Sequence, residues 1–267
     1  MISFVATPIG NLKDISLRAL ETLREADVIF CEDTRHTIKL LNAYEIKKPL
    51  YACHKFNETE AAQKILEASR RGEKVAVVSD AGTPVVSDPG NIVCKFLREN
   101  NEPYTLIPGA CAFVAALVLS ALPAGRFAFI GFLPEKNSEK RALLEKYKDC
   151  DLTLAFHSAP QDVDKDLQMM YEVFGDREAS AVREITKLHE EVACFRLKEG
   201  LPGEKRGEYV LLVAGAEERE CPLNALSEVE HIKHYMLAGL DKKEALKRAA
   251  KDRGVSKSAL YPFSIDL

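Results

Sequence analysis

The sequence lacks the patterns that mark the commonest nucleotide enzymes and hydrolases. No G-x-G-x-x-G follows any apolar run, so the dinucleotide fingerprint is missing, and no G-x-x-x-x-G-K-[ST] is present to cradle nucleotide phosphates. Neither a G-x-S-x-G nucleophile elbow nor an H-E-x-x-H zinc motif occurs. The seven cysteines, Cys31, Cys53, Cys94, Cys111, Cys150, Cys194 and Cys221, are odd in number, no two share a C-x-x-C spacing, and five sit in apolar runs. They read as reduced, mostly buried thiols of a cytoplasmic protein, with no metal site and no cysteine nucleophile expected. The longest apolar run, Ala110 to Leu122, is too short to span a bilayer. The opening MISFVATPIG has neither the basic start nor the apolar core of a signal peptide, so no membrane association is expected. Net charge is only −4, so any contact with nucleic acid must come from a local patch.

What is present is 267 residues, 46% of them hydrophobic and 29% charged, enough for two cores and a soluble surface. The chain is organised around Val75 to Gly90, VAVVSDAGTPVVSDPG. Val75 to Val78 is a short β-branched run that suits a buried strand. It ends in Ser79-Asp80-Ala81-Gly82-Thr83-Pro84, a carboxylate, hydroxyls and a flexible glycine at the carboxyl end of a strand, where open α/β sheets bind ligands. Gly82 lets backbone approach a ligand closely, and Ser87-Asp88-Pro89-Gly90 launches a helix.

Four further strands are predicted in the first half: Ile2 to Ala6, Val28 to Cys31, Leu50 to Cys53 and Tyr104 to Ile107, alternating with helices over Ser16 to Ala26, to Ala43, to Arg71 and over Asn91 to Asn100. Five strands with intervening helices imply a parallel sheet covered on both faces. Polar clusters then fall at one edge: Thr7 to Asn11, Glu32 to Arg35, His54 to Glu58, Asp80 to Pro84 and Gly109 to Ala112. That coincidence points to a site for a small polar, cationic or zwitterionic ligand. The helix after Pro108 is apolar nearly all round and so is expected to be buried, against a second domain.

Leu122-Pro123-Ala124-Gly125 reads as a hinge. Beyond it, strands are predicted at Phe127 to Gly131, Leu152 to Phe156, Ala179 to Arg183, Ala193 to Leu197 and Glu208 to Ala214, with helices over Ser138 to Lys148 and Gln161 to Phe174. Only a Gly/Pro-containing loop separates the last two strands, so this sheet is expected to be mixed. From Pro222 two helical patterns, Ala225 to Ala238 and Lys242 to Arg253, carry Lys242, Lys243, Lys247, Arg248, Lys251, Arg253 and, beyond them, Lys257. Asp241 is placed to cap the second. This basic tail is either a solvated face or a phosphate-binding element of helix-turn-helix type. The domains are therefore 1–122, 123–221 and the tail 222–267.

Thr7-Pro8-Ile9-Gly10-Asn11-Leu12, Glu32-Asp33-Thr34-Arg35, Ser79 to Pro84 with Asp88-Pro89-Gly90, Pro108-Gly109, Gly131-Phe132-Leu133-Pro134 and Arg183-Glu184-Ile185-Thr186-Lys187 together resemble the tetrapyrrole methylase superfamily, in the form of its ribosomal branch. The resemblance covers nearly the whole chain. It implies two α/β domains, one with a parallel five-stranded sheet and one with a mixed sheet, in a homodimer that binds S-adenosylmethionine between them. The activity implied is 2′-O-ribose methylation of a cytidine in 16S ribosomal RNA of the small ribosomal subunit. The alternatives are a tetrapyrrole or protein acceptor, or a non-catalytic ribosome-binding assembly factor. By the same analogy Pro8, Gly10, Asn11, Asp80, Ala81, Gly82, Thr83, Val85, Cys111, Ala112, Phe156 and Ala214 would line the cofactor cleft, Asp80 suiting an ammonium and a sulfonium. For Phe156 and Ala214, core packing is the competing reading. Where the family often carries an acidic residue and a His-Arg pair, this chain reads Phe156-His157-Ser158-Ala159-Pro160, and Lys55-Phe56 follows His54 where a further His is expected.

Methyl transfer to a ribose hydroxyl needs alignment, exclusion of water and removal of a proton. Candidate bases are Glu184, Lys187, Asp33, His54 and Glu58, with Glu184 or Lys187 preferred. Arg35 and Arg183 are suited to phosphates, as are His54 and, in the tail, Lys243, Lys247 and Lys257. A plain salt bridge is the competing role for each.

Overall fold

The structure is a computed structural model that describes residues 1–217, 222–265 and 267; Cys221 lies outside the described residues. Two compact units result, Met1–Gly215 and Ala216–Leu267.

The first unit holds both sheets. Strands β1 (Ile2–Val5), β2 (Val28–Cys31), β3 (Leu50–Ala52), β4 (Val75–Val78) and β5 (Tyr104–Ile107) form a fully parallel sheet in the order β3-β2-β4-β1-β5. The central strands are buried along their whole length, as a sheet with helices on both faces requires. One face packs Ile2, Phe4, Phe30 and Val77 against α3 (Glu58–Arg70) and α4 (Asn91–Glu99). The other packs Val5, Ile29, Cys31 and Val78 against α1 (Leu17–Glu25) and α2 (Thr34–Ala43). Ser16 caps α1, its Oγ accepting from Ala19 N at 3.1 Å. Glu58, a candidate base in the sequence, is spent on a helix end: its carboxylate accepts from Gly90 N (3.0 Å) and Ile92 N (3.1 Å) at the start of α4.

The second sheet consists of β6 (Phe127–Phe132), β7 (Thr153–Ser158), β8 (Glu178–Arg183), β9 (Glu191–Arg196) and β10 (Tyr209–Val213) in the order β6-β7-β10-β8-β9. It is mixed, as expected, but for a different reason. β8 and β9 form the antiparallel pair, and β10 inserts antiparallel between β7 and β8 instead of pairing with β9. The apolar helix α5 (Ala112–Leu119) covers one face of this sheet, with Ala116 and Leu117 against Ala155, Val182, Val210 and Leu212. Helices α6 (Asn137–Glu145) and α7 (Val163–Phe174) cover the other through Leu144, Leu167, Met170 and Phe174. α5 thus leaves the first sheet to close the second, but it is buried on that side alone: Val114, Val118 and Leu119 on its outward face are exposed.

In the second unit α8 (Glu228–Leu237), α9 (Lys242–Asp252) and α10 (Lys257–Leu260) enclose Ile232, Leu246, Ala249 and Leu260. A Ser227–Glu230 capping box starts α8 and Asp241 caps α9. α10 is a single turn of four residues, too short for the groove-reading helix of a helix-turn-helix. Among the described residues no helix is long and apolar enough to cross a membrane.

Candidate active site

The loops at the carboxyl edge of the first sheet are stitched to one another. Thr7 N donates to Gly82 O at 2.9 Å and Gly82 N to Thr7 O at 3.1 Å. Asp33 N donates to Asp80 Oδ1 (3.1 Å), and Thr83 Oγ1 donates to Ala110 O (3.1 Å). Gly82 adopts φ 80°, and a Cβ there would lie 3.1 Å from Ile9 Cγ2, so this tight turn needs glycine. The loop after β1 also reaches the second sheet: Asn11 N donates to Thr186 Oγ1 (3.1 Å), and a Cβ on Gly10 would meet Thr186 Oγ1 at 2.8 Å and Ile185 O at 2.9 Å.

Between the two sheets lies a cavity of about 420 Å³, within the range of small-molecule sites. One wall comes from the first sheet, with Ile9, Glu32, Asp80 to Thr83, Asp88, Cys111 and Ala112. The other comes from the second, with Phe132, His157 to Pro160, Glu184, Lys187 and Glu208. Backbone strain concentrates here. Ser87 (φ 63°) and Glu184 (φ 50°) of the lining, and Val85 (φ 77°) and Thr186 (φ 66°) beside it in sequence, sit in the left-handed region, a costly state for the β-branched pair and one that clusters at functional sites.

The first wall is acidic. Burial, with Asp80 adding to it, pushes Asp88 up to about 6, against an opposing hydrogen bond from Ser79. Burial and the neighbouring Asp88 and Asp80 likewise raise Glu32. Three carboxylates gathered on one wall suit a cationic ligand. On the second wall Lys187 Nζ lies 3.0 Å from both Glu184 Oε1 and Glu208 Oε2, and Glu208 N donates to Glu184 Oε1 at 3.0 Å. Burial opposes the charge of Glu184, but the Glu208 N–H and Lys187 outweigh it and hold the carboxyl below its usual range. Lys187 is raised for the reciprocal reason, its two carboxylates outweighing burial. Cys111 is pushed up by burial and is a thiol, not a thiolate.

Of the residues expected in the cleft, Asp80, Ala81, Gly82, Thr83, Cys111, Ala112, Glu184 and Lys187 line the cavity. The others lie elsewhere. Pro8, Gly10 and Asn11 belong to the loop that latches onto Ile185 to Lys187, and only Ile9 of that loop reaches the cavity. Val85 packs on the first-sheet core, leaving Val86 and Ser87 to face inward. Phe156 is fully buried beneath α6 and α7, because side chains alternate along β7 and the inward position falls to His157. Ala214 sits at the far end of its sheet: β10 runs antiparallel to β7, so the start of β10, not its end, borders the cavity.

Asp33 is away from the cavity and is occupied. It caps α2, and Arg35 makes two bonds to its carboxylate, at 3.1 and 2.7 Å. Hydrogen bonds from Arg35 lower it to about 2. Arg183 pairs with Glu191 at 2.7 Å and leaves a buried Nε without a partner. His54 likewise has a buried Nδ1 without a partner, its ring edge-on to the highly exposed Phe56. Lys243, Lys247 and Lys257 are exposed on the second unit. Glu32, Asp88, Phe132, His157 and Glu208 line the cavity without having been singled out. Glu32 follows β2, Glu208 precedes β10, Phe132 and His157 lie at the ends of β6 and β7, and Asp88 precedes α4; all but Glu208 lie in segments already prominent in the sequence. Among the described residues no group of three or more His, Cys, Asp or Glu is placed to hold a metal ion.

Residues 1–200 match the family model described as tetrapyrrole (corrin/porphyrin) methylases. The chain is 41% identical over 266 residues to ribosomal RNA small subunit methyltransferase I of Halalkalibacterium halodurans, covering 96% of this chain and 92% of that one. The protein of the same name from Thermotoga maritima is 43% identical over 218 residues, 80% of this chain and 97% of the relative. Among solved structures, the methyltransferase CobJ superposes with a TM-score of 0.62 at 19% identity, covering 80% of this chain and 94% of that one. Uroporphyrin-III C-methyl transferase from Thermus thermophilus, complexed with S-adenosyl homocysteine, superposes with a TM-score of 0.57 at 20% identity, covering 79% and 96%.

Proposed function

The chain belongs to the tetrapyrrole (corrin/porphyrin) methylase family, and on that premise we propose that it transfers a methyl group from S-adenosylmethionine to ribosomal RNA of the small subunit, at the 2′-hydroxyl of a cytidine in 16S RNA. The observation that carries this reading is the pairing of near-full-length identity to enzymes named for that substrate with a cavity whose acidic wall suits a cationic methyl donor.

The donor set fits. Glu32, Asp80 and Asp88 supply counter-charge for an ammonium and a sulfonium, and the loop clamped at Gly82 holds them in place. Ile9, Ala112, Phe113 and Val210 add apolar surface that excludes water from the cavity. S-adenosylmethionine bound there supplies an already activated methyl group, so the protein's task is alignment and proton removal. Glu184 and Lys187 form a fixed ion pair on the acceptor side. With the carboxyl held low and the amine held high, both stay charged, and their role is to orient the acceptor by hydrogen bonds. Arg35, His54, Arg183 and the tail lysines Lys243, Lys247 and Lys257 are the proposed phosphate contacts.

We further propose that the enzyme is a cytoplasmic homodimer. The outward face of α5, with Val114 and the 76%-exposed Val118, and the edge strand β5, with Tyr104 and Leu106, leave apolar surface for a second copy to cover. The test is incubation with labelled S-adenosylmethionine and small ribosomal subunits from a strain lacking the modification, followed by digestion to nucleosides. Label in 2′-O-methylcytidine is expected. Label in ribosomal protein, on a base, or nowhere would overturn the reading.

A further inference from the structure

We propose that His157 is the group that accepts the proton of the acceptor hydroxyl, a catalytic role that rests on the methyl-transfer reading above. His157 ends β7 and faces the cavity from the second-sheet wall. Its ring is held edge-on by Phe129, with centroids 5.1 Å apart at 81°, and flanked by Phe132 at 5.3 Å and 33°. These two aromatics fix the ring plane without taking up a ring nitrogen. Among the described residues neither nitrogen has a hydrogen-bond partner, and neither is sealed off as the orphaned Nδ1 of His54 is, so the imidazole presents an open lone pair to the cavity.

The other ionisable groups around it have different work. Glu184, Lys187 and Glu208 face His157 from the β8–β9 loop and the start of β10, locked in one ion-paired cluster. A lysine held protonated and a carboxylate held ionised by that lysine are poor proton acceptors. Across the cavity Glu32, Asp80 and Asp88 form the acidic wall that counters a cationic donor. β6 contributes only aromatic carbon. Burial keeps His157 below the usual histidine range, only partly offset by Glu208, so the neutral ring predominates at pH 7. In the step itself the hydroxyl oxygen bonds to the methyl carbon as the carbon–sulfur bond breaks, and the electron pair stays on sulfur in the leaving thioether. The hydroxyl proton passes to the open nitrogen of His157 and from there to solvent.

The test compares the full chain with His157→Gln. Imidazole proton NMR of the unliganded wild-type protein, assigned by the signal His157→Gln removes, gives the titration of this ring. The rate of methyl transfer to small subunits is then followed against pH. We expect His157→Gln to lower kcat by about 10²-fold or more, the range for a positioned general base. Its KM for S-adenosylmethionine and its calorimetric affinity for S-adenosylhomocysteine should stay within about threefold of wild type, allowing roughly 0.6 kcal/mol for lost packing. The acidic limb of the wild-type profile should coincide with the NMR titration and vanish in the variant. A variant that keeps its rate or its acidic limb would overturn the proposal, and so would one that loses S-adenosylhomocysteine binding. A wild-type chain that methylates no ribosomal RNA would overturn the parent reading instead, and is told apart because it fails before any substitution is made.

Discussion

Asp88 shows how a single residue ties the cavity to both stability and binding. Its carboxyl titrates near 6 in the folded chain against an ordinary 3.8, so the folded state holds the proton more tightly than the unfolded one. Ionising it therefore costs stability, a cost absent below about pH 4 and complete above about pH 6. Asp88→Asn is expected to raise Tm at pH 7.5 and to lose that advantage as pH falls to about 4, while weakening S-adenosylmethionine binding at pH 7.5. A pH series of thermal melts alongside calorimetry checks both signs. Gly207 makes a complementary case. It sits at φ 74°, and a Cβ there would lie 2.6 Å from Glu184 Cδ. Gly207→Ala should cost about 1–2 kcal/mol in backbone strain alone, read by urea denaturation, and should displace the Glu184 carboxylate from Lys187. At this scale the sequence was informative after β4 and β5, where Asp80 to Thr83, Cys111 and Ala112 all reach the cavity, and less so after β1, β2 and β3, where Asn11, Asp33 and His54 do not. Phe156 takes the core-packing role of its competing reading and Ala214 lies at the far end of its sheet, because which side of β7 faces inward and which way β10 runs are settled by pairing between distant strands.

Among the secondary-structure elements, the seating of β7 on its two helices matters most. Lys140 of α6 and Asp166 of α7 form an ion pair, both nearly fully buried, and Ser158 at the end of β7 donates to the free oxygen of Asp166 at 2.7 Å. The pair anchors the strand end that carries His157 to Pro160 into the cavity. Asp166→Leu leaves a buried ammonium without a partner and is expected to cost about 3–5 kcal/mol in chemical denaturation. Lys140→Met combined with Asp166→Leu should recover most of that loss while leaving the Ser158 hydroxyl only its long contact to Ala159 O, so stability returns ahead of activity. A double variant as unstable as the single one would show that the charges are not what costs stability. Strand and helix positions were legible here from apolar periodicity, and α5 from its lack of a polar face. The pairing of β8 with β9 was not, because the loop after β9 looks like a hairpin turn and nothing local signals that β10 crosses to the middle of the sheet.

For the whole molecule, two sheets enclose the cavity and a separate helical unit follows. The solved structures described above match about four-fifths of the chain, as does the Thermotoga maritima relative, and the family model matches residues 1–200, all within the first unit. Under the proposed function, the cavity within Met1–Gly215 takes the methyl donor and the basic unit contacts the RNA. Charge reversal of Lys243, Lys247 and Lys257 is expected to weaken small-subunit binding and to flatten its logarithmic salt dependence by roughly 2, from about 0.7 per lost phosphate contact on single strands. Affinity for S-adenosylhomocysteine should not change, and an unaltered salt slope would remove these lysines from the interface. The composition shift near Pro222 lies close to the boundary between the two compact units, whereas the latch from Gly10 and Asn11 to Thr186 joins residues far apart in sequence that no local pattern connects. The central claim, that the crevice between the two sheets is where the methyl donor binds, is tested most directly by a crystal structure of the full chain with S-adenosylhomocysteine. The ligand is expected between the Asp80–Thr83 turn and the His157–Pro160 segment, with its amino group toward the acidic wall. Density for it anywhere else, or a crevice filled by the chain's own side chains, would contradict the account.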